Sequence, residues 1–291
     1  MANTFDASVR HQLRLERAKA GERKELRKLL KVLDSKIISI VEGLPQPYTK
    51  TQQDAAILKI ASLVEEFYKS DVANFFVEIA KDTIDVESLY SASIISLSAN
   101  VDIADINDVP KAQLLVNGFS KSVHGHKLST WTSKLSKEKL TRIKRALRHG
   151  RSDELAKAEI LKNVRRQFGI SNLHAETISD LHINTFSSMT REKYDLANPD
   201  NVDVLMWSSI IDSGTTDYCY KRSEKFYDAI TKEPIGHNLP YKEGPGLIHF
   251  GCRSIGIRMD RSDIKRGKVP ALDKDRGGVP VSLVIRGERG G

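Results

Sequence analysis

The sequence predicts an α+β fold that is mostly α: long N-terminal helices, a central helical region, a small antiparallel sheet in the C-terminal third and an extended C-terminal tail. Three observations carry this. Apolar residues recur at spacings of three and four through the first two-thirds of the 291-residue chain, as amphipathic helices require. Alternation with a period of two begins only near Asn198. After Asp260 the chain is dominated by Arg, Lys, Asp and Gly and ends RGERGG.

Each element follows from local signals. From about Ser8 to Glu42, Leu26, Leu29, Leu30, Leu33, Ile37, Ile40 and Val41 form one apolar stripe, and Gly43 and Pro45 supply the stop. A second helix begins after Thr51 and runs through Ile57, Ile60, Val64 and Phe67, with a break expected near Ser70–Asp71 before Phe75, Phe76 and Ile79. Over Tyr90–Leu97, apolar and Ser-rich, helix and strand are hard to separate. Pro110 suits the first position of a further helix, with Asp108 as a cap. Next comes a helix with the stripe Leu140, Ile143 and Leu147, ended by Gly150. A Ser152-capped helix burying Leu155, Ile160 and Val164 follows, stopped by Gly169. Ser171 then starts a helix carrying His174, Ile178, Leu181 and Phe186. Val202, Val204 and Met206 predict a strand ending at Trp207, and the strand opening at Cys252, with Ile255 and Ile257 on one face, is expected to pair with it antiparallel. Val281–Ile285 could add an edge strand. The expected organisation is a helical arm over 1–100 for partner contact, a helical middle region over 101–197, a small α+β region over 198–260 and an extended basic tail over 261–291.

Composition narrows the function classes. Two cysteines cannot build a disulfide framework, and the N-terminus has no apolar segment after its basic residues, so no secretory signal is expected. No apolar run approaches the ~18 residues that span a bilayer, so no membrane anchor is expected. Lys and Arg number 46 against 38 Asp and Glu, and the excess is patched: local charges are +6 over 10–31, +8 over 131–168 and +5 over 253–291. Such patches attract phosphate backbones or acidic protein surfaces. Lys139, Arg142, Lys144, Arg145, Arg148 and Arg151, several of them three or four apart, are the candidate patch for nucleic acid or an acidic partner, against the plain alternative of a solvated helix face.

Catalytic fingerprints for phosphate loops, dinucleotide sites, zinc peptidases and serine hydrolases are missing. Cys219, His237, His249 and Cys252 have metal-ligand chemistry, and His249-x-x-Cys252 can place two ligands on one ion. No CxxC knuckle accompanies them, so packing at a strand start is the stronger reading. A nuclease using His237, His249, Asp212 and Asp217 is a further alternative. The segment WSSIIDSGTTDYC suggests instead that Trp207 packs in a core while Asp212–Gly214 forms a turn, with Arg253 pairing to Asp212. On this reading Trp207, Asp212, Cys219, His249, Cys252 and Arg253 form a structural clasp, and no catalytic residue, cofactor or metal is expected.

Trp207, Asp212, Thr216 and Cys219, followed by Pro245-Gly-Leu-Ile-His249-Phe-Gly-Cys252-Arg253, resemble the C-terminal signature of the phage head morphogenesis family, the minor head proteins that include the F-like protein of phage Mu. The resemblance covers about residues 118–260. Two positions depart from it: Arg222 stands where the family usually has a second cysteine, and Ser254 where it often has a last one. The resemblance implies a structural minor head (capsid) protein of a tailed bacteriophage. It would be virion-located in the capsid interior near the portal vertex and in the host cytoplasm during assembly. It would act with the portal protein and other head proteins, and with packaged double-stranded DNA through non-specific phosphate contacts. Alternatives from other classes are a non-specific DNA-binding protein, or a metal-dependent nuclease or toxin-like enzyme.

Overall fold

The computed structural model describes residues 4–259, together with 272–273 and 279–280. Most of the chain is helical: α1 (Thr4–Glu42), α2 (Lys50–Phe67), α3 (Ala73–Ala99), α4 (Lys111–Ser120), α5 (Trp131–Ser152), α6 (Lys157–Ala197) and the short α7 (Asp217–Arg222). The strands are β1 (Ser122–Val123) with β2 (His126–Lys127), then β3 (Val204–Ser209), β4 (Phe226–Asp228), β5 (Pro234–Ile235) and β6 (Ser254–Met259). Leu272–Asp273 (β7) pairs antiparallel with Val279–Pro280 (β8). The rest of the expected tail, including the edge strand at Val281–Ile285, lies outside the described residues.

The chain forms two compact units, and these do not follow the four linear segments expected from sequence. Among the described residues, one comprises 4–18, 81–118 and 183–259; the other comprises Lys19–Ala80 and Phe119–His182. The reason is helix length: α1, α3 and α6, of 39, 27 and 41 residues, each supply segments to both.

In the second unit the α1 stripe is Leu26, Leu30, Leu33, Ile37 and Val41, all buried. The chain covers this stripe itself, as a lone amphipathic helix in water requires, so any partner contact of the 1–100 arm would use other surface. Thr49 caps α2 in a capping box with Gln52. The break expected at Ser70–Asp71 is a π turn, Tyr68–Val72, through which α2 passes into α3. Tyr90–Leu97 is helical.

Three local boundary signals are overridden. Ser152 is the last residue of α5 and not the cap of the next helix, which starts at Lys157. Gly169 and Ser171 lie inside α6. The Ser171 hydroxyl donates to the Gln167 and Phe168 carbonyls at 3.1 Å, satisfying itself within the helix. A mid-helix glycine costs about 1 kcal/mol, and the burial of Phe168, Ala175 and Ile178 outweighs it. Pro110 precedes α4, and Asp108 accepts from the Val109 N–H and from the Tyr194 hydroxyl instead of capping.

In the first unit, Gly118 on α4 is set by close packing, since a Cβ there would fall 2.1 Å from Cε1 of the buried Phe186. The sheet has the order β5-β4-β3-β6, all neighbours antiparallel. β3 pairs with β6 in the register Trp207↔Gly256 and Ser209↔Ser254. The first strand thus continues two residues past Trp207, and the second opens two residues after Cys252. One sheet face buries Met206, Ile255, Ile257 and Met259 with Phe5 of α1. On the other, Trp207 packs near the rings of Tyr227 and Tyr241, at 6.1 and 5.9 Å.

A buried charge network ties α1, α3 and α6 in this unit. Glu87, fully buried, accepts two hydrogen bonds from Arg191 at 2.7 Å, one from Ser187 at 2.5 Å and one from His11 at 2.9 Å. The Tyr90 ring stacks on His11 at 3.7 Å, and its hydroxyl donates to Ser8. Burial alone would raise the Glu87 carboxyl, but Arg191 and His11 hold it down at about 2.

Candidate functional site

The clasp is built from the two central strands outward. After β3 the chain turns at Asp212: its Oδ1 accepts the Gly214 N–H at 2.9 Å, and Thr215 Oγ1 accepts the Asp212 N–H at 2.8 Å and donates to the Ile210 carbonyl at 2.9 Å. The Arg253 guanidinium meets the Asp212 carboxylate with two parallel bonds, Nη1 to Oδ2 and Nη2 to Oδ1, both 2.6 Å. These bonds hold Asp212 below the usual carboxylate range. Both side chains keep about a third of their surface in water, 40% and 32%, so the pair contributes little on its own, about 0–1 kcal/mol. Its value lies in fixing the turn against β6.

Thr216 caps α7 by accepting the Cys219 N–H, which points the buried Cys219 thiol inward from the helix's first turn. His249–Cys252 is a second turn: the Cys252 N–H reaches the His249 carbonyl at 3.2 Å, and Gly251 sits at φ +73°, the left-handed position that a type II turn reserves for glycine. The two turns bring Cys219 Sγ to 3.6 Å from Cys252 Sγ and 3.0 Å from His249 Nε2. The two thiols are close enough for one to donate weakly to the other. Hydrogen bonding between them, reinforced by burial, pushes Cys219 up, while the same bond holds Cys252 down. Below them lies a polar seam. Ser209 Oγ is 2.9 Å from Ser254 Oγ, donates to the Cys219 carbonyl and accepts the Trp207 indole N–H at 3.2 Å. Asn184 of α6 donates to the Cys252 carbonyl, and Gln12 of α1 to the Arg253 carbonyl.

Trp207, Asp212, Cys219, His249, Cys252 and Arg253 are thus brought together. Among the described residues, Cys219, His249 and Cys252 form a group of metal-ligand atoms within 4.8 Å of one another, and His237, Asp212 and Asp217 stand outside it. His237 is corrected as a ligand candidate because both ring nitrogens are committed: Nε2 donates to the Phe226 carbonyl at 2.8 Å and Nδ1 accepts the Leu239 N–H at 3.2 Å. Asp212 is held by Arg253, so the divalent-ion site of the nuclease reading is not assembled around it.

The basic patch on α5 is reduced. Lys139 is fully buried, 2.6 Å from Asp34 and 2.9 Å from Asn172 Oδ1, because it occupies the buried phase with Leu135, Ile143 and Ala146. Burial lowers its pKa despite the Asp34 charge. Leu140, expected on the buried stripe, is only half-buried. Arg142 pairs with Glu138 at 2.7 Å, and Arg151 donates to Gln53 at 3.0 Å. Lys144, Arg145 and Arg148 remain as cations for an outside partner, with Arg145 and Arg148 exposed.

If this face meets DNA, replacing Lys144, Arg145 and Arg148 by Gln should lower the slope of log affinity against log salt by about 0.9 for each phosphate that is no longer neutralised. Lys139→Gln should instead lower stability and leave the slope unchanged. Filter binding across a salt series, with thermal melts of each variant, checks both. A slope that responds to Lys139 alone would reject the assignment.

Two networks escaped the sequence reading, although a signal exists for each. Glu87 sits in phase with the buried Ala80, Ile84, Ser91, Ile94 and Ile95 of α3, and Lys139 in phase with the α5 stripe. A charge on an apolar phase marks a buried pair. No helix among the described residues is long and apolar enough to cross a membrane. Comparison of the chain with family models, curated proteins and solved structures finds no match.

Proposed function

We propose that the chain is a structural minor head protein of a tailed bacteriophage, acting with the portal and other head proteins during assembly and lying inside the capsid near the portal vertex. The observation that carries this reading is the clasp. The residues on which the resemblance rests come from two distant segments, yet they join in one bonded unit: Asp212 with Arg253, Cys219 with His249 and Cys252, and Trp207 through Ser209 to Cys219. A signature whose parts brace one another is what a fold-holding motif requires, whereas unrelated short matches have no reason to meet. The task it gives Asp212 and Arg253 is mechanical, since each neutralises the other and locks a turn to a strand.

Non-specific contact with packaged double-stranded DNA is compatible with this role. Lys144, Arg145 and Arg148 supply charge without any arrangement for reading base edges, so the contacts would be to phosphates. The test is fractionation of heads from the phage that encodes the chain. The protein should sediment with heads and resist protease until the capsid is opened. Recovery in the soluble fraction alone, with heads of normal composition lacking it, would overturn the proposal and favour a free DNA-binding protein or an enzyme.

A further inference from the structure

We propose that Cys219, His249 and Cys252 bind a single Zn²⁺ ion, with water completing a tetrahedral site. This inference is independent of the head-assembly reading. It rests first on the donor set: two thiolates and an imidazole are the ligands that select zinc. Zinc–sulfur bonds of about 2.3 Å in a tetrahedron place two sulfurs about 3.8 Å apart and a sulfur and nitrogen about 3.5 Å apart. The sulfurs stand at 3.6 Å, and Cys219 Sγ lies 3.0 Å from His249 Nε2. Opening the second distance by about half an ångström asks only a small rotation of the half-buried His249 ring.

The surrounding hydrogen bonds are those of a ligand shell. His249 Nδ1–H donates to the Phe250 carbonyl at 2.8 Å, which leaves Nε2, the nitrogen facing Cys219, as the lone-pair donor. Metal-bound histidines are commonly oriented this way, by a carbonyl on the far nitrogen. The backbone is equally prepared: Gly251 allows the turn that brings His249 and Cys252 to the same side, and the Thr216 cap fixes Cys219. Thr216 Oγ1, 3.1 Å from His249 Nε2, stands where it can hydrogen-bond a fourth-ligand water. A shallow cleft lined by Thr216, Cys219, His249 and Gly251 gives the ion access. On binding, the thiol protons leave to solvent and both sulfurs coordinate as thiolates.

The test uses the full chain, kept reduced by a phosphine that does not bind metal, stripped with chelator and titrated with Co²⁺. The expected result is a tetrahedral cobalt spectrum with thiolate charge-transfer absorption, saturating at one equivalent and displaced by Zn²⁺. His249→Ala should weaken Co²⁺ binding by more than about 100-fold, beyond the 10–100-fold typical of outer-shell changes. His237→Ala should leave it unchanged, and circular dichroism should show both variants folded. Lack of thiolate–cobalt absorption in the folded, reduced chain would overturn the proposal. So would equal losses from His237→Ala and His249→Ala.

Discussion

Replacing Glu87 by Ala is expected to destabilise the protein by about 3–5 kcal/mol. The carboxylate is fully buried and receives Arg191, Ser187 and His11, so its loss deprives a largely buried guanidinium of its hydrogen-bonded counter-charge. Glu87→Gln keeps the shape and separates charge from volume. The pH dependence has a definite sign. Glu87 is held at about 2 in the folded protein against an ordinary 4.5, so folding favours the ionised form. Its contribution is fully present above about pH 4.5 and is lost as pH falls through about 2. At 1.36 kcal/mol per pH unit, that is a loss of about 3 kcal/mol over the window. Urea denaturation of wild type and Glu87→Gln from neutral to acid pH should give curves that converge on acidification. Parallel curves would show that the charge network is not what holds α1, α3 and α6 together.

Trp207→Ala is expected to cost about 3–5 kcal/mol as well, by a different route. The indole is 1% exposed, packed near Tyr227 and Tyr241 and under the Arg222 guanidinium at 6.0 Å. Truncation leaves a cavity in the sheet face and removes the N–H donor to Ser209, the hinge of the seam beneath Cys219. Trp207→Phe retains most of the packing and should recover more than half of the loss. Chemical denaturation with an unchanged m-value checks both. A Trp207→Ala protein of normal stability that had lost an activity would fit an enzyme and contradict the clasp.

How far these features could be read from sequence depended on whether local signals agreed with tertiary packing. The α1 stripe was legible because periodicity and the Gly43–Pro45 stop pointed the same way, whereas the start of α2, expected after Thr51, lies at Lys50 behind the Thr49–Gln52 capping box. Gly169 and Ser171 misled because a glycine's cost of about 1 kcal/mol is small beside the burial of an entire helix face. β4 and β5, of three and two residues, are too short to show alternation. Lys139 was misplaced because charge was weighed above phase, although Leu135, Ile143 and Ala146 mark its phase as buried. In the site, the pairing of Asp212 with Arg253 was legible from opposite charges flanking two strands expected to pair. The grouping of both cysteines with His249 was expected in the clasp, but its geometry was not legible, since the 32 residues between Cys219 and Cys252 carry no signal for how closely the two turns approach. His237 looked equivalent to His249 until its backbone partners were known.

The central claim is that this clasp holds together a protein of the phage head. Reconstruction of the intact head, without imposed icosahedral symmetry, from the phage proposed to encode the chain tests it most directly. Density is expected at the portal vertex, inside the capsid, that accommodates α1–α6 and the β5-β4-β3-β6 sheet. A portal vertex without such density, in heads from which the chain is missing by mass spectrometry, would contradict it.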